Sequence, residues 1–223
     1  MCKDQRTSGT IEPVTDGQSD LLIQVTKNYP GGKDKLELAK GHSDFKNRVW
    51  GLLDVLANER VLQLPIEQRP IWKSLQRTCD DAKAYTADLK AGGFRISDWS
   101  ADIMKKPGFK KGFDINSVDL VSATGTELTG KSEPTTTEIF DAICKAGGDL
   151  LPAWAGPEMR KQYPDQPKGE VLIIAMEPIA DSDGSPLVFH VFHDDHGRWL
   201  DAYWGSPGRL WYGSHRWVFA RLK

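Results

Sequence analysis

Apolar positions are densest over the last quarter of the chain, where four β-type runs follow one another. Residues 171–178 are almost continuously apolar, with Ile173, Ile174 and Met176, as in a strand buried on both faces. Residues 187–193, rich in Val and Phe, make a second run, 198–204 a third and 216–222 a fourth. Turn chemistry separates them. Residues 180–186 read Ala-Asp-Ser-Asp-Gly-Ser-Pro, Asp194-Asp195-His196-Gly197 suits a hairpin connection, and Gly205-Ser206-Pro207-Gly208 opens a longer loop. Short connections between consecutive strands predict an antiparallel meander.

Upstream the period changes from two to 3.6. Phe45, Val49, Leu52, Leu53 and Leu56 mark a helix over 43–58, capped by Ser43 or Asp44 and widened by Trp50. Ile71, Leu75, Cys79, Ala82, Tyr85 and Leu89 mark a second helix starting near Pro70 and stopped by Ala91-Gly92-Gly93. Ser97 caps a short third helix carrying Trp99, Ile103 and Met104. Lysines 105, 106, 110 and 111 share a Pro/Gly-bearing loop that reads as a boundary. Residues 118–121 are a strand candidate, with 124–129 as its partner or loop. Thr135 or Thr136 caps a helix with Ile139, Phe140 and Ile143 on its apolar face, and 157–163 forms a short helical turn. Near the start, 21–26 is a short β-type run after a polar tail. The predicted fold is α+β: an N-terminal helical half packed with a C-terminal four-stranded antiparallel meander. Its parts are 1–40, a polar tail with one short strand; 41–112, a helical region; and 113–223, an α+β region ending in the sheet. In general architecture this arrangement resembles small bacterial interaction modules of the immunity type. No motif is shared, and no residue is carried over.

Composition narrows the function classes. With 39% hydrophobic and 27% charged residues, the 223-residue chain is ordinary for a globular protein. A formal charge of −2 gives no bulk reason to expect nucleic acid or an anionic membrane as partner. No apolar run approaches the roughly 20 residues of a membrane helix. The polar opening Met1-Cys2-Lys3-Asp4-Gln5 predicts no secretory leader, and Cys2, Cys79 and Cys144 lack CxxC spacing. A reducing, cytoplasmic setting is the expectation.

Two groups of residues carry candidate chemistry. His190, His193, Asp194, Asp195 and His196 are imidazoles and carboxylates within seven positions. Such groups ligate divalent metals and exchange protons near neutral pH. On a strand, however, His190 and His193 point to opposite faces. Only His193, Asp195 and His196 could converge at the hairpin tip; the plainer reading of the tip is a polar turn. The second group interleaves aromatics with arginines: Trp199, Tyr203, Trp204, Trp211, Tyr212, Trp217 and Phe219 with Arg198, Arg209, Arg216 and Arg221. Trp199 and Tyr203 share a strand face, as do Trp217 and Phe219, which suits a core. Trp211 and Tyr212 lie in a Gly/Ser-flanked loop, where large aromatics suit a contact surface. The leading expectation is therefore a non-enzymatic protein-binding module with no cofactor. Its contact residues are Trp204, Arg209, Trp211, Tyr212 and His215. One alternative is a metal-dependent hydrolase or nuclease using a divalent ion at His193, Asp195 and His196. A second is single-stranded nucleic-acid binding through the aromatics and the lysine loop.

Overall fold

The computed structural model describes residues 68–221. The run at 21–26, the helix over 43–58 and the polar tail lie outside the described residues. Strand β1 (Lys73–Gln76) leads to helix α1 (Ala82–Ala91), whose first turn is capped by the Asp81 carboxylate accepting the Ala84 N–H. After β2 (Arg95–Ile96), the Ser97 hydroxyl caps α2 (Asp98–Met104), and a 3-10 turn spans Pro107–Lys110. Strand β3 (Ser117–Thr124) runs into α3 (Gly125–Thr129) through a capping box of Thr124 and Glu127. A second capping box, Thr135 and Glu138, starts α4 (Thr136–Lys145). Then come β4 (Gly148–Asp149), α5 (Ala155–Gln162), β5 (Val171–Ile174), β6 (Ile179–Ala180), β7 (Pro186–Asp194), β8 (Gly197–Trp204) and β9 (Arg216–Arg221).

Among the described residues these nine strands form one mixed, curled sheet in the order β1-β3-β9-β5-β7-β8-β2, with β4 added to β9 and β6 to β7. This overturns the predicted four-stranded antiparallel meander, and with it the likeness to small interaction modules. The four C-terminal runs are strands, but they are neither a meander nor a whole sheet. β9 crosses back past β7 and β8 to pair in parallel with β5, Trp217 opposite Ile173, and its other edge pairs antiparallel with β3. A meander would leave β5 and β9 as edge strands. Both are apolar runs buried on two faces, and such strands gain most from neighbours on both sides.

The predicted helical half is also corrected. A single helix from Pro70 to Leu89 does not form. Residues 73–76 pair with β3 instead, Leu75 opposite Val118, and helix begins only after the Asp81 cap. Pairing with an available sheet edge outweighs the modest local preference for helix. β2 likewise pairs in parallel with β8, so strands on both sides of the lysine-bearing loop share one sheet.

Register assigns two sheet faces. Trp217, Ile173, His190 and Asp201 lie in one row across β9, β5, β7 and β8; Phe192 with Trp199 and Val188 with Tyr203 flank it on the same face. Helix α4 covers part of this face, with Phe140 edge-on to Trp217 at 6.0 Å. The opposite face carries Leu172, Ile174, Phe189, Val191, Leu200 and Val218, all buried. Phe189 meets Phe109 of the 3-10 turn there, and α5 lies directly on its ring. A Cβ at Gly156 would come within 2.6 Å of that ring, so only glycine permits this approach. Cys79 is a buried free thiol, and Cys144 is disulfide-bonded. Among the described residues no helix is long and apolar enough to cross a membrane.

Candidate functional site

The first face of the sheet concentrates the aromatic and imidazole side chains. β7–β8 pairing sets His190 opposite Asp201, with Nε2 3.9 Å from Oδ2. The His190 ring stacks on Tyr203 at 3.8 Å between centroids and, more distantly, on Phe192 at 5.4 Å; Phe192 in turn lies parallel to Trp199 at 5.8 Å. His190 is only 2% exposed, and its Nδ1 has no hydrogen-bond partner. Burial pushes its pKa down to about 4; the Asp201 carboxylate pulls upward and His215 adds to the fall. The ring is therefore neutral at pH 7. At 3.9 Å the contact with Asp201 is too long for a hydrogen bond, so the two do not form a proton-relay dyad.

The loop between β8 and β9 closes over this ladder. Its backbone is tied along its length: Arg209 and Pro207 carbonyls accept the Thr136 and Thr137 N–H groups, the Trp211 N–H donates to Pro134 O, and the Gly213 N–H donates to Ser132 O. Trp211 is the plug. It is 2% exposed, packs edge-on to Trp217 at 4.8 Å and Tyr203 at 5.9 Å, and donates its Nε1–H to Thr136 Oγ1 at 2.8 Å. The Arg209 guanidinium lies 4.6 Å from the Trp211 ring centroid and 5.8 Å from that of Tyr203. Trp211 is thus core rather than contact surface. Tyr212, its neighbour in sequence, is 68% exposed and lies edge-on to His215 at 5.4 Å. Leu210 and Trp204 are also exposed, at 59% and 56%. His215 is half-buried; burial lowers its pKa and the Arg209 charge lowers it further. Of the five predicted contact residues, Trp204 and Tyr212 face outward, Arg209 and His215 line the loop, and Trp211 anchors it. Leu210 was missed. The expectation put both Trp211 and Tyr212 on the contact surface, whereas in an extended segment neighbouring side chains point opposite ways and only Tyr212 faces outward.

At the hairpin tip, His193 and Asp195 have other partners. His193 lies on the opposite sheet face from His190, and its Nδ1 is 2.7 Å from Gln166 O. Asp195 pairs with Lys168, and the exposed His196 donates its backbone N–H to the Asp194 carboxylate at 2.8 Å. Burial works against the Asp194 charge, but hydrogen bonds from His196 N–H and Trp199 Nε1–H outweigh it and hold its carboxyl below the usual range. Among the described residues no three His, Cys, Asp or Glu side chains are grouped so as to hold a metal ion. The tip is a side-chain-capped turn.

A buried polar network on the other face was not anticipated. Glu158 of α5, 0% exposed, accepts from Thr78 N–H (2.5 Å), Thr78 Oγ1–H (2.7 Å), Tyr85 O–H (2.9 Å) and Gln162 Nε2–H (2.7 Å). Beside it, the Lys161 ammonium donates to Thr78 Oγ1 and to Asp88 (2.7 Å) and stands 3.5 Å from Cys79 Sγ. Burial pushes the Cys79 thiol up, away from the thiolate a nucleophile needs. Burial and the Glu158 carboxylate push the Tyr85 phenol up as well. The network joins α5 to the corner between β1 and α1. A Glu one turn from the end of an otherwise ordinary helix gave no sign of it.

No family model, curated protein or solved structure matches this chain.

Proposed function

We propose that this chain is a protein-interaction module whose contact surface is the loop from Gly205 to His215 together with the adjoining end of β8. One observation carries the reading. Three large apolar side chains, Trp204, Leu210 and Tyr212, stand 56%, 59% and 68% exposed around a loop held by a buried tryptophan and a series of backbone hydrogen bonds. Exposed aromatics cost free energy in water and are the residue type that dominates binding energy at interfaces. A loop already ordered before binding loses little conformational entropy on docking. Arg209, stacked on Trp211, contributes a fixed positive charge at the rim.

The test compares three proteins of equal thermal stability: the natural chain, a Leu210→Ser/Tyr212→Ser variant, and a Trp99→Ser control at an exposed residue of α2. Each is used as bait in extracts of the organism that makes it, followed by titration of any captured protein in purified form. Capture by the natural chain and the control, lost or weakened by about tenfold or more in the double variant, supports the reading. The same partners bound equally well by all three, or none by any, refutes it.

A further inference from the structure

We propose that the groove between α1 and the segment from Met104 to Lys110 binds a small molecule carrying several phosphate groups. It lies on the side of the sheet opposite the aromatic loop and stands independently of the interaction surface. The groove has a volume of about 880 Å³, within the range of small-ligand sites. One wall is a single stripe of α1, in which Lys83, Thr86, Ala87 and Lys90 recur at helical spacing. The other wall carries Lys105, Lys106 and Lys110, and Ala82, Met104 and Pro107 add apolar surface between the charges.

The positive charge of this groove is only partly compensated by the protein itself. Five lysines and one aspartate line it, and Asp102 pairs with one of the lysines, leaving an excess of three positive charges, whereas the whole chain carries −2. The aspartate, Asp81, caps α1, accepting the Ala84 N–H at 2.8 Å, and keeps its negative charge at one end of the groove. Lys106 is held by Asp102 and Ser182. Among the described residues no hydrogen bond or ion pair engages the ammonium groups of Lys83, Lys90, Lys105 or Lys110. Basic residues just outside are neutralised, Lys111 by Glu177 and Lys161 by Asp88, so the positive field is local. A local, partly compensated field suits a compact polyanion better than a long one, which would need the stripe to continue. The cations are all lysine. Ammonium groups on flexible stems bind phosphates as point charges, without the planar fork that matches carboxylates. Two or three phosphates, each carrying between one and two charges near pH 7, would balance an excess of about three positive charges.

The experiment is calorimetric titration of the whole chain with inorganic tripolyphosphate at low and at high salt. It is repeated on Lys83→Gln/Lys110→Gln and on Lys131→Gln/Lys145→Gln, whose lysines lie by α4. Circular dichroism checks that each variant is folded. Saturable one-to-one binding is expected. It should weaken steeply with salt, fall by about tenfold or more in the groove variant and stay unchanged in the control. Absence of saturable binding overturns the proposal, as does equal binding by both variants. It is equally overturned if an oligothymidylate binds in preference to tripolyphosphate with affinity rising with strand length, which would assign the groove to nucleic acid.

Discussion

Replacing Trp211 by Ala and, separately, Tyr212 by Ala tests whether the loop is built as an anchor and a presented side chain. Trp211 is 2% exposed, ringed by Trp217 at 4.8 Å, Tyr203 at 5.9 Å and His215 at 6.0 Å, with Arg209 over its face. Truncating a tryptophan in such surroundings costs about 3–5 kcal/mol in lost transfer energy and residual cavity. It also orphans the Thr136 hydroxyl, itself 2% exposed, for about 1 kcal/mol more. Tyr212, at 68% exposure, has one edge contact, so its loss costs within about 0.5 kcal/mol. Urea denaturation followed by far-ultraviolet circular dichroism reads both without relying on tryptophan fluorescence. With a slope of roughly 2 kcal/mol per molar, Trp211→Ala should lower the midpoint by about 2–3 M and Tyr212→Ala hardly at all. If Trp211→Ala unfolds within about 1 kcal/mol of the natural chain, or Tyr212→Ala costs as much, the division of labour is wrong. The proposed contact surface would then lose its physical basis.

Two further predictions address the buried polar groups. Glu158→Ala leaves the Thr78 N–H and hydroxyl and the Tyr85 hydroxyl without their acceptor and should destabilise by about 3–5 kcal/mol, with Glu158→Gln milder; an effect below about 1 kcal/mol would show the network to be dispensable. His190 makes folding pH-dependent, because its folded pKa near 4 lies below the unfolded value near 6.5, so the unfolded chain binds more protons between them. Its contribution is intact above about pH 6.5 and falls away as pH drops toward 4. Between pH 8 and pH 5 the natural chain should lose about 2 kcal/mol more than His190→Phe, which keeps a stacking ring without a titrating group; parallel pH profiles would contradict the neutral, buried imidazole.

Caps were readable, because an N-cap is settled by contacts within four residues: Ser97 and Thr135 start the helices their side chains promise. Thr124-x-x-Glu127 carried the same signature and opens α3, although its β-branched neighbours suggested a strand or loop. Residues 186–194, 197–204 and 216–221 are strands where the apolar runs placed them, since burial on a pleated surface imposes its own period, while the run expected over 171–178 forms a strand only over 171–174. The opposite faces of His190 and His193 follow from the same alternation. What local pattern could not supply was the identity of neighbours. That β9 lies beside β5, that residues 73–76 extend β3 rather than α1, and that Glu158 of α5 receives the donors of Thr78 and Tyr85 all depend on contacts between distant residues. The same holds for Trp211 and Tyr212, whose fates were decided by the space beside Trp217 and Tyr203. The chain's own order thus determined the capped helix starts at Ser97 and Thr135 and the positions of the C-terminal strands, through short-range sterics, capping and alternation. Tertiary structure decided which strands pair and which aromatic is buried, because burial is a property of the whole packed surface.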